Sequence, residues 1–411
     1  MGAVKKINKK QLFGIVDVDL LDNGTRHPNL VLMKIAGYCR DHNIPYKFIF
    51  DEKESLSKFS YIYASKVFTF SKEPAFLNKN NIGQNKIKKG GTGYYAEEEN
   101  LETFIRLQNE DMRSLEIDPN LPGFNMAHQM PDYTLYDQYI ENELNKGKVP
   151  KQFKDYQHFS IGFLTRGCIR KCPFCVNKNI DYVYDYSSLS DFVDTTRPMI
   201  YLWDDNFLAS KNWKTLLLEL QATNRPFQFR QGLDVRLLNE EKAQMLSKSK
   251  YHGDFIFAFD QLKDKDLIRR KLKIWKQYSK KTTKLYLFCG YEISDDISLI
   301  NDVFNLFERI ELLMKFGCLG YVMRHGNYKN HPLSNIYVQI ARWCNQPQFY
   351  KKMSFKEFIE RNQFWTKTNN KCMSLKTYET FLEKYANYRT KLDYYFNMKY
   401  ETMVESALWE Q

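Results

Sequence analysis

Three cysteines stand close together in the segment TRGCIRKCPFCVNKN, which spans residues 165–179. Cys168, Cys172 and Cys175 follow a C-x-x-x-C-x-x-C spacing and account for three of the 8 cysteines in the chain. The thiolate form of cysteine is both a nucleophile and a metal ligand. Three such residues in one short, basic, turn-forming segment predict a metal site, because a fold seldom needs them for packing.

The spacing is compatible with two kinds of metal site. A structural zinc site pairs a C-x-x-C unit with two further ligands, so zinc would require a distant His or Cys. A four-iron cluster on three thiolates leaves one iron without a protein ligand and open to a small molecule. The neighbouring cations Arg166, Arg170 and Lys171 favour the ionised, ligating form of the thiols in either case.

The composition is that of a folded globular protein. The chain has 411 residues, of which 43% are hydrophobic and 16% aromatic, which is enough for about two or three domains with buried cores. No apolar run is long enough to span a bilayer, and residues 11–21 carry two aspartates that make a poor signal-peptide core. We therefore expect a cytoplasmic protein whose cysteines are kept reduced.

The net charge of +12 raises the question of a nucleic-acid partner, since clustered Lys and Arg neutralise phosphates. The basic stretches are KKINKK (5–10), NKIKKGG (85–91) and RRKLKIWK (269–276). If the substrate is a nucleic acid, we expect Lys86, Lys88 and Lys89 to contribute to its binding. The alternative is a general bias toward Lys in solvated faces.

The first third of the chain alternates between strand-like and helical patterns. The apolar run Leu12–Leu21 predicts a strand, and residues 28–42 predict a helix. A second strand is predicted at 44–50, a third within 57–71, and a glycine-rich turn at Lys88–Tyr94. This alternation predicts a small doubly wound, Rossmann-like α/β domain. Residues 95–157 are polar, and we expect them to be connecting structure with no core of their own.

A more regular rhythm begins at residue 158. Six β-rich runs occur at 158–164, 199–203, 226–230, 254–259, 284–289 and 320–324, separated by helical patterns at 210–222, 239–249, 263–280 and 297–315. Such units predict parallel strands with right-handed crossovers, hence a partial (βα)6 TIM-like barrel. Beyond Pro332 the pattern is helical and aromatic and predicts a cap. The predicted domains are residues 1–150, 151–345 and 346–411.

Polar side chains follow each of these six strands. The cysteine segment follows the first strand, and the others are followed in turn by Asp204, Asp205 and Asn206; by Gln231, Gly232 and Asp234; by Asp260 and Gln261; by Gly290, Tyr291 and Glu292; and by His325. Chemistry in barrels gathers at the carboxyl ends of the strands. One such residue is often a helix cap, but six sets in register predict a functional rim.

The run GCIRKCPFC, placed after the first strand of a six-unit repeat, resembles the signature of the radical S-adenosylmethionine enzymes. The resemblance covers residues 158–345, and the segments WDDNF (203–207) and RQGLDVRLL (230–238) resemble the branch with cobalamin-type N-terminal domains. It implies a 4Fe-4S cluster whose open iron binds S-adenosylmethionine. One electron then cleaves this cofactor to a 5′-deoxyadenosyl radical that abstracts a substrate hydrogen.

The resemblance also implies roles for individual residues. The cluster ligands would be Cys168, Cys172 and Cys175. The expected cofactor-binding residues are Phe174 beside the adenine, Asp204, Asp205 and Asn206 at the methionine end, Asp260 and Gln261 after the fourth strand, and Arg236 as a carboxylate partner. A guanidinium binds a carboxylate through two parallel hydrogen bonds, which is the reason for including Arg236.

The N-terminal domain resembles a cobalamin-binding domain in layout, including the GGTGY turn at residues 90–94. It lacks the Asp-x-His-x-x-Gly motif, in which a carboxylate orients the histidine that ligates cobalt. Thr25 stands two residues before His27, so no carboxylate occupies the matching place, and Asp41 is adjacent to His42 on another helix face. Although some related domains bind cobalamin without the motif, this pattern predicts against cobalamin and against an axial histidine.

The remaining cysteines, Cys39, Cys289, Cys318, Cys344 and Cys372, occur in no C-x-x-C pair and are expected to pack in cores. The sequence thus predicts an enzyme that cleaves S-adenosylmethionine and receives electrons from a donor such as flavodoxin or ferredoxin. Its substrate is unidentified, and nucleic acid is a candidate. The alternatives are a cobalamin-dependent radical methyltransferase and a zinc-bound nucleic-acid-binding module without catalysis.

Overall fold

A computed structural model of the chain describes residues 11–51, 53–78, 86–96, 118–177, 180–361 and 372–409. The basic stretch at residues 5–10 lies outside these ranges. The chain divides into two compact units. The first comprises Met1–Lys171, Cys175–Asp205 and Ala222–Phe227, and the second Cys172–Phe174, Asn206–Gln221 and Gln228–Gln411. Neither unit ends at residue 150 or 345, and the three-domain division stays a prediction.

The first unit begins with a four-stranded parallel sheet. Its strands are β1 (Phe13–Asp17), β2 (Tyr46–Phe48), β3 (Tyr61–Ser65) and β4 (Ile87–Gly90), in the order β2-β1-β3-β4. The helices of this region are α1 (Val18–Asn23), α2 (Leu30–Asp41) and α3 (Thr92–Tyr95). Parallel strands joined through helices are the arrangement that the alternating pattern predicts.

Both faces of this sheet are buried. Phe13 and Ile15 of β1 belong to one apolar cluster together with α2. Val16 belongs to a second cluster, which includes Ile49 and Ile62. Because successive side chains of a strand point to opposite faces, the two clusters cover opposite sides of the sheet. Burial on both faces is typical of a doubly wound parallel sheet.

Two local predictions in this region differ from the structure. The run Leu12–Leu21 is not one strand, because β1 ends at Asp17, whose carboxylate accepts a hydrogen bond from Leu20 N and begins α1. The segment Lys88–Tyr94 is not wholly a turn, because its first three residues belong to β4. The chain turns at Gly91, which has a φ of +104° that L side chains rarely adopt.

The described part of the segment predicted to be connecting structure, residues 118–157, contributes to the core of the first unit. It contains α4 (Asp137–Asn145) and α5 (Lys154–His158). Its buried aromatic side chains pack in the same cluster as α2, namely Tyr133, Tyr136, Tyr139, Phe153 and Tyr156. The prediction overlooked them because they are spread among polar residues with no single period.

The first unit also contains β5 (Phe159–Gly162), β6 (Thr165–Gly167), β7 (Val183–Asp185) and β8 (Met199–Leu202). Strands β5 and β8 pair in parallel, as predicted. Strands β6 and β7 form an antiparallel pair that the sequence did not predict. Each has three residues, too few for an alternating pattern to be recognised.

The alternation of strands and helices continues as predicted. Its elements are α6 (Trp213–Ala222), β9 (Phe227–Phe229), α7 (Glu240–Ser247), β10 (Phe255–Ala258), α8 (Lys265–Tyr278), β11 (Thr283–Cys289), α9 (Asp296–Lys315) and β12 (Leu319–Arg324). Strands β10, β11 and β12 form a parallel sheet in that order. The mixed α/β class with parallel sheets is confirmed, whereas a continuous six-stranded barrel stays a prediction.

The described residues after Pro332 are helical. They form α10 (Asn335–Cys344), α11 (Pro347–Tyr350), α12 (Phe355–Glu360), α13 (Met373–Lys384), α14 (Arg389–Asn397) and α15 (Tyr400–Trp409). Their aromatic side chains pack with α9: the Phe307 ring lies 6.1 Å from Trp343 and 5.1 Å from Phe396. Within the described ranges, every helix is too short or too polar to cross a membrane.

Arg197 is a buried cation that fastens several segments of the first unit, and it gives a first prediction. Its guanidinium donates to the carbonyl oxygens of Tyr156 (2.7 Å), Phe159 (3.2 Å) and Tyr133 (2.9 Å). In Arg197→Met these carbonyls lose their donor, so we expect the free energy of unfolding to fall by about 3 kcal/mol in urea denaturation. The exposed Lys146→Met should change it by less than about 1 kcal/mol. Equal effects of the two changes would contradict this role.

Candidate functional site

The cysteine segment begins with a turn that only glycine can make. Gly167, the last residue of β6, has a φ of +90°, and a Cβ there would collide with the carbonyl oxygen of Tyr182. The turn points the chain away from the β6–β7 pair immediately before Cys168. The sequence thus positions the first cysteine through a backbone constraint rather than through side-chain packing.

The three cysteines of this segment are partly exposed and form no disulfide. The sulfur of Cys168 accepts a hydrogen bond from Arg170 N at 3.3 Å, and that of Cys175 accepts one from Asn177 N at 3.4 Å. Hydrogen bonds donated to sulfur stabilise its thiolate form. These local contacts are those expected of ligating cysteines.

Four of the other cysteines are buried, as predicted for core residues. Burial raises the pKa of the Cys39 thiol to about 12 and that of Cys318 to about 11. It also raises the pKa values of Cys289 and Cys344. A buried neutral thiol is a poor metal ligand, because the ligand is the thiolate. Cys372 is the exception, since it is partly exposed.

The donor set of the cysteine segment fits a thiolate-ligated cluster, because it offers three accessible thiols within one loop. In the part of the chain that the structure describes, no three side chains of His, Cys, Asp or Glu are gathered as a ready metal site. Convergence of Cys168, Cys172 and Cys175 on one metal centre therefore stays a prediction.

Asp205 holds the cysteine segment near both of its ends. Its Oδ2 accepts a hydrogen bond from Gly167 N at 2.8 Å, and its Oδ1 accepts one from the side-chain amide of Asn177 at 2.7 Å. The Nε atom of Arg166 lies 3.2 Å from Oδ2. One carboxylate thus connects the residue before Cys168 with the residue two after Cys175. The sequence placed Asp205 on the rim but did not mark Asn177 as its partner.

Asp204 is buried and is turned toward the start of β6. Its Oδ1 accepts hydrogen bonds from Thr165 N (2.6 Å) and Thr165 Oγ1 (2.7 Å), and its Oδ2 accepts one from Leu164 N (3.3 Å). Burial raises the pKa of Asp204 to about 7, although these hydrogen bonds lower it. The structure thus gives Asp204 a part in the fold of the segment, and its predicted cofactor contact stays a prediction.

The second unit contains Phe174, the aromatic residue of the cysteine segment. Its ring stacks on Phe288 of β11 with centroids 3.8 Å apart, and Tyr291 lies 6.0 Å away. The Tyr291 hydroxyl donates to the carbonyl of Pro173 at 3.2 Å, and the His325 ring lies 4.8 Å from Tyr291. The residues predicted to follow β11 and β12 on the rim thus meet at Phe174.

Arg236 is already paired with two carboxylates. Its Nε and Nη2 atoms contact Asp234 at 2.7 Å and 3.2 Å, and its Nη1 donates to Asp264 at 2.8 Å. The buried Asn206 donates from Nδ2 to Asp234 at 3.5 Å. The two-point carboxylate contact expected of Arg236 is therefore made with Asp234. A cofactor carboxylate would have to displace that partner, and the predicted contact stays untested.

Asp260 has a buried carboxylate oxygen, Oδ1, that meets no hydrogen-bond partner among the described residues. Burial raises the pKa of Asp260 to about 6, and the charges of Arg309 and Arg236 oppose this increase. Gln261 follows it and is partly buried at the start of the short turn Leu262–Asp264. An unpaired buried acceptor is costly, so Oδ1 of Asp260 is ready to accept a hydrogen bond from a ligand.

The structure supplies a carboxylate partner for His27 that the sequence did not show. Asp155 of α5 lies 128 residues away along the chain, and its Oδ2 is 2.6 Å from His27 Nδ1. The Tyr156 hydroxyl donates to the carbonyl of His27 at 3.2 Å, and the Trp203 ring lies 5.5 Å from the imidazole. His27 therefore has an orienting carboxylate although none stands two residues before it in the sequence.

Two of the lysines expected to bind phosphate are neutralised within the chain. Lys88 Nζ lies 3.0 Å from Asp118 Oδ2, and Lys89 Nζ lies 2.6 Å from Glu73 Oε2. Both lysines are on β4, where the pleat fixes the direction of each side chain. These ion pairs weaken the case for a phosphate-binding surface at β4.

Neither a protein-family model nor a curated protein matches the sequence. Two solved structures of the radical S-adenosylmethionine methyltransferase TsrM from Kitasatospora setae resemble the chain. One has cobalamin and a 4Fe-4S cluster bound (TM-score 0.49, 11% identity, 77% of this chain and 75% of that chain). The other has a tryptophan substrate and a S-adenosylmethionine analogue bound (TM-score 0.48, 11% identity, 76% and 72%).

A structure of SuiB from Streptococcus suis bound to S-adenosylmethionine resembles a smaller part of the chain (TM-score 0.29, 11% identity, 47% of this chain and 56% of that chain). The family and the enzyme predicted from the cysteine segment agree with what these neighbours are. The prediction against cobalamin is contradicted by this comparison, in which the TsrM structure has cobalamin bound.

The raised pKa of Asp204 generates a prediction about stability. Between the ordinary value of 3.8 and about 7, the folded protein keeps this carboxyl protonated while the unfolded chain ionises it. Stability from Asp204 must therefore decrease as the pH rises through this window. In urea unfolding from about pH 5 to about pH 8, we expect Asp204→Asn to lose less stability than the wild type.

Burial also raises the pKa of Asp17 to about 7. Asp17 contributes the same pH dependence to the wild type and to Asp204→Asn, so the difference between their stabilities isolates the effect of Asp204. The exposed Asp185→Asn serves as the control and should follow the wild type. Parallel stability curves for the wild type and Asp204→Asn would show that Asp204 is ionised in the folded protein.

Proposed function

We propose that the chain is a radical S-adenosylmethionine enzyme in which Cys168, Cys172 and Cys175 hold a 4Fe-4S cluster. The observation that supports this most directly is the loop itself, which presents three accessible thiols at the C-x-x-x-C-x-x-C spacing. When bound, such a cluster supplies the electron that cleaves S-adenosylmethionine into methionine and a 5′-deoxyadenosyl radical. A donor such as flavodoxin or ferredoxin would deliver that electron.

Each residue of the loop's surroundings has a part that its contacts support. Asp205 fixes the loop through Gly167 and Asn177, so the cysteines keep their spacing when ligands exchange. Phe174 stacks on Phe288, which holds in place the residue next to Cys175. Cation-rich flanks at Arg170 and Lys171 lower the cost of gathering three thiolates.

Asp260 is the predicted cofactor residue whose geometry supports ligand binding best. Its unpaired Oδ1 can accept a hydrogen bond from the amino group or a ribose hydroxyl of S-adenosylmethionine. Asp204, Asp205, Asn206, Gln261 and Arg236 remain proposed neighbours of the cofactor. For Arg236 the proposal requires that its guanidinium leave Asp234, or contact the cofactor through an edge not used by that carboxylate.

We further propose that β5 and the strands β8 to β12 belong to a partial (βα)6 barrel, preceded by the Rossmann-like domain and followed by the helical cap. The helix that follows each of the strands β8 to β12 supports this arrangement, since parallel strands with helical crossovers are the units of such barrels. We also propose that the 5′-deoxyadenosyl radical abstracts a hydrogen atom from the substrate of the enzyme.

The cluster can be tested by its metal content. We expect anaerobically reconstituted protein to be brown and to hold about four irons per chain with matching sulfide. It should form 5′-deoxyadenosine from S-adenosylmethionine with dithionite. Cys168→Ser, Cys172→Ser and Cys175→Ser should each lose the cluster and this activity. Cys372→Ser is the matched control, because Cys372 is also partly exposed but lies outside the loop.

Asp260→Asn should retain the iron and slow 5′-deoxyadenosine formation, since the amide replaces an acceptor oxygen by a donor nitrogen. One stoichiometric zinc ion without sulfide in the wild type would refute the proposal and favour the zinc-bound nucleic-acid-binding module.

A second candidate function is cobalamin-dependent methyl transfer, and the His27–Asp155 pair favours it. A carboxylate that binds one imidazole nitrogen fixes the orientation of the ring and the direction of its second nitrogen. His27 is about one-third exposed, at 31%, so the ring can be reached from solvent. A single oriented imidazole suits a metal whose other ligands come from a macrocycle, as in the cobalt of a corrin.

Visible spectroscopy tests this candidate independently of activity. After incubation with hydroxocobalamin and desalting, we expect the wild type to retain a corrin spectrum that shifts in His27→Ala. Asp155→Asn should weaken retention by about tenfold, as loss of an orienting partner does at other metal sites. His128→Ala is the control, since His128 also pairs with an aspartate, Asp191, at 3.1 Å. Retention that no histidine change affects would show binding without an imidazole ligand, and no retention would remove methyl transfer.

A further inference from the structure

The hairpin formed by β6 and β7 carries a row of tyrosines on one face. Tyr182, Tyr184 and Tyr186 alternate with Val183 and Asp185, so the three phenol rings project to the same side of β7. The ring centroids of Tyr182 and Tyr184 are 5.7 Å apart, and those of Tyr184 and Tyr186 are 6.4 Å apart. Phe163, which follows β5, extends the row, with its ring 6.2 Å from Tyr186.

The row is open to solvent at one end. Tyr182 is 59% exposed, and Tyr184 and Tyr186 are partly buried. A large exposed aromatic side chain is seldom needed for stability, and aromatic rings in a surface row are typical of binding sites. The row therefore requires a reason outside the folding of the first unit.

A cation shares this face, and a carboxylate lies on the other. Arg166 of β6 is paired directly with Tyr184 of β7, so both side chains project to the same side. The guanidinium carbon of Arg166 lies 4.3 Å from the centroid of the Phe163 ring and 5.9 Å from that of Tyr186. Asp185, one residue along from Tyr184, projects to the opposite side. Arg166 Nε also lies 3.2 Å from Asp205 Oδ2, so the face is aromatic and its one arginine is paired with a carboxylate.

We propose that this face of the hairpin, formed by Tyr182, Tyr184, Tyr186, Phe163 and Arg166, binds the unpaired bases of a single-stranded nucleic acid. Every base has a π-face that stacks on an aromatic ring, and arginine adds stacking and attraction to phosphate. The net charge of +12 suits a polyanion better than a protein partner of mixed charge. Because β6 leads directly into Cys168, the bound strand lies beside the proposed cluster loop.

This inference rests on the proposed function, because it names the class of substrate on which the proposed cluster site would act. The binding itself is independent of the cluster. It also replaces the phosphate-binding surface expected at Lys88 and Lys89, which are paired with Asp118 and Glu73. Stacking supplies the recognition here, so the affinity includes a component that salt does not screen.

Fluorescence anisotropy of the full chain with labelled RNA and DNA strands of about 12 nucleotides, and with the matching duplexes, tests the proposal. We expect both single strands to bind more tightly than the duplexes, and the comparison of RNA with DNA identifies the natural sugar. Tyr182→Ala and Tyr184→Ala should each weaken binding by roughly tenfold at every salt concentration. Tyr182→Phe should bind as the wild type does, because it keeps the ring.

Tyr394→Ala controls for the loss of an exposed tyrosine, since Tyr394 is 51% exposed on α14, and it should leave affinity unchanged. Equal affinity of the wild type and Tyr182→Ala would overturn the proposal, as would tighter binding of duplexes or of an aromatic peptide. Iron content and 5′-deoxyadenosine formation are measured on the same samples. A wild type that forms 5′-deoxyadenosine but binds no single strand would therefore refute the substrate class alone.

Discussion

One carboxylate organises the chemistry proposed for this chain. Asp205 accepts hydrogen bonds from Gly167 N and from the Asn177 side chain, and so spans the loop that carries all three cysteines. A loop with three thiolates repels itself, and without a ligand it has no apolar core to hold it. The two hydrogen bonds to Asp205 fix the start and the end of the loop, both of which lie in the first unit. A bound ligand would fix the cysteines between them.

Several charged groups near the strand ends are used in the same way. Asp204 binds the backbone of Leu164 and Thr165, Arg197 binds three carbonyl oxygens, and Arg309 donates to the carbonyls of Phe259 and Phe288. Buried charges are stable only when their hydrogen-bonding capacity is filled. A polar rim therefore does not consist of ligand contacts alone. Asp260 differs from these groups, because one of its buried oxygens has no hydrogen-bond partner in the part of the chain that the structure describes.

Periodic patterns and short spacings were sufficient to predict much of this structure. All six β-rich runs after residue 158 contain strands, and the buried alternation of β11 shows why such a pattern is readable. Contacts between residues distant in sequence were not predictable. Nothing local marks Asp155 as the partner of His27 or Asn177 as the partner of Asp205. Arg236 was expected to bind a cofactor carboxylate. Its guanidinium group indicates a two-point contact with a carboxylate but does not indicate which carboxylate makes that contact.

The distance in sequence between the cysteine loop and Asp205 affects the order in which the two are synthesised. Gly167 and Asp205 are 38 residues apart, and Asp205 directly follows the β8 segment. A growing chain thus exposes all three thiols before the residue that fixes the loop has left the ribosome. During that interval the thiols are open to adventitious metals and to oxidation. For the proposed cluster, insertion would therefore depend on timing, and delivery to the completed first unit would be favoured over delivery to the emerging loop.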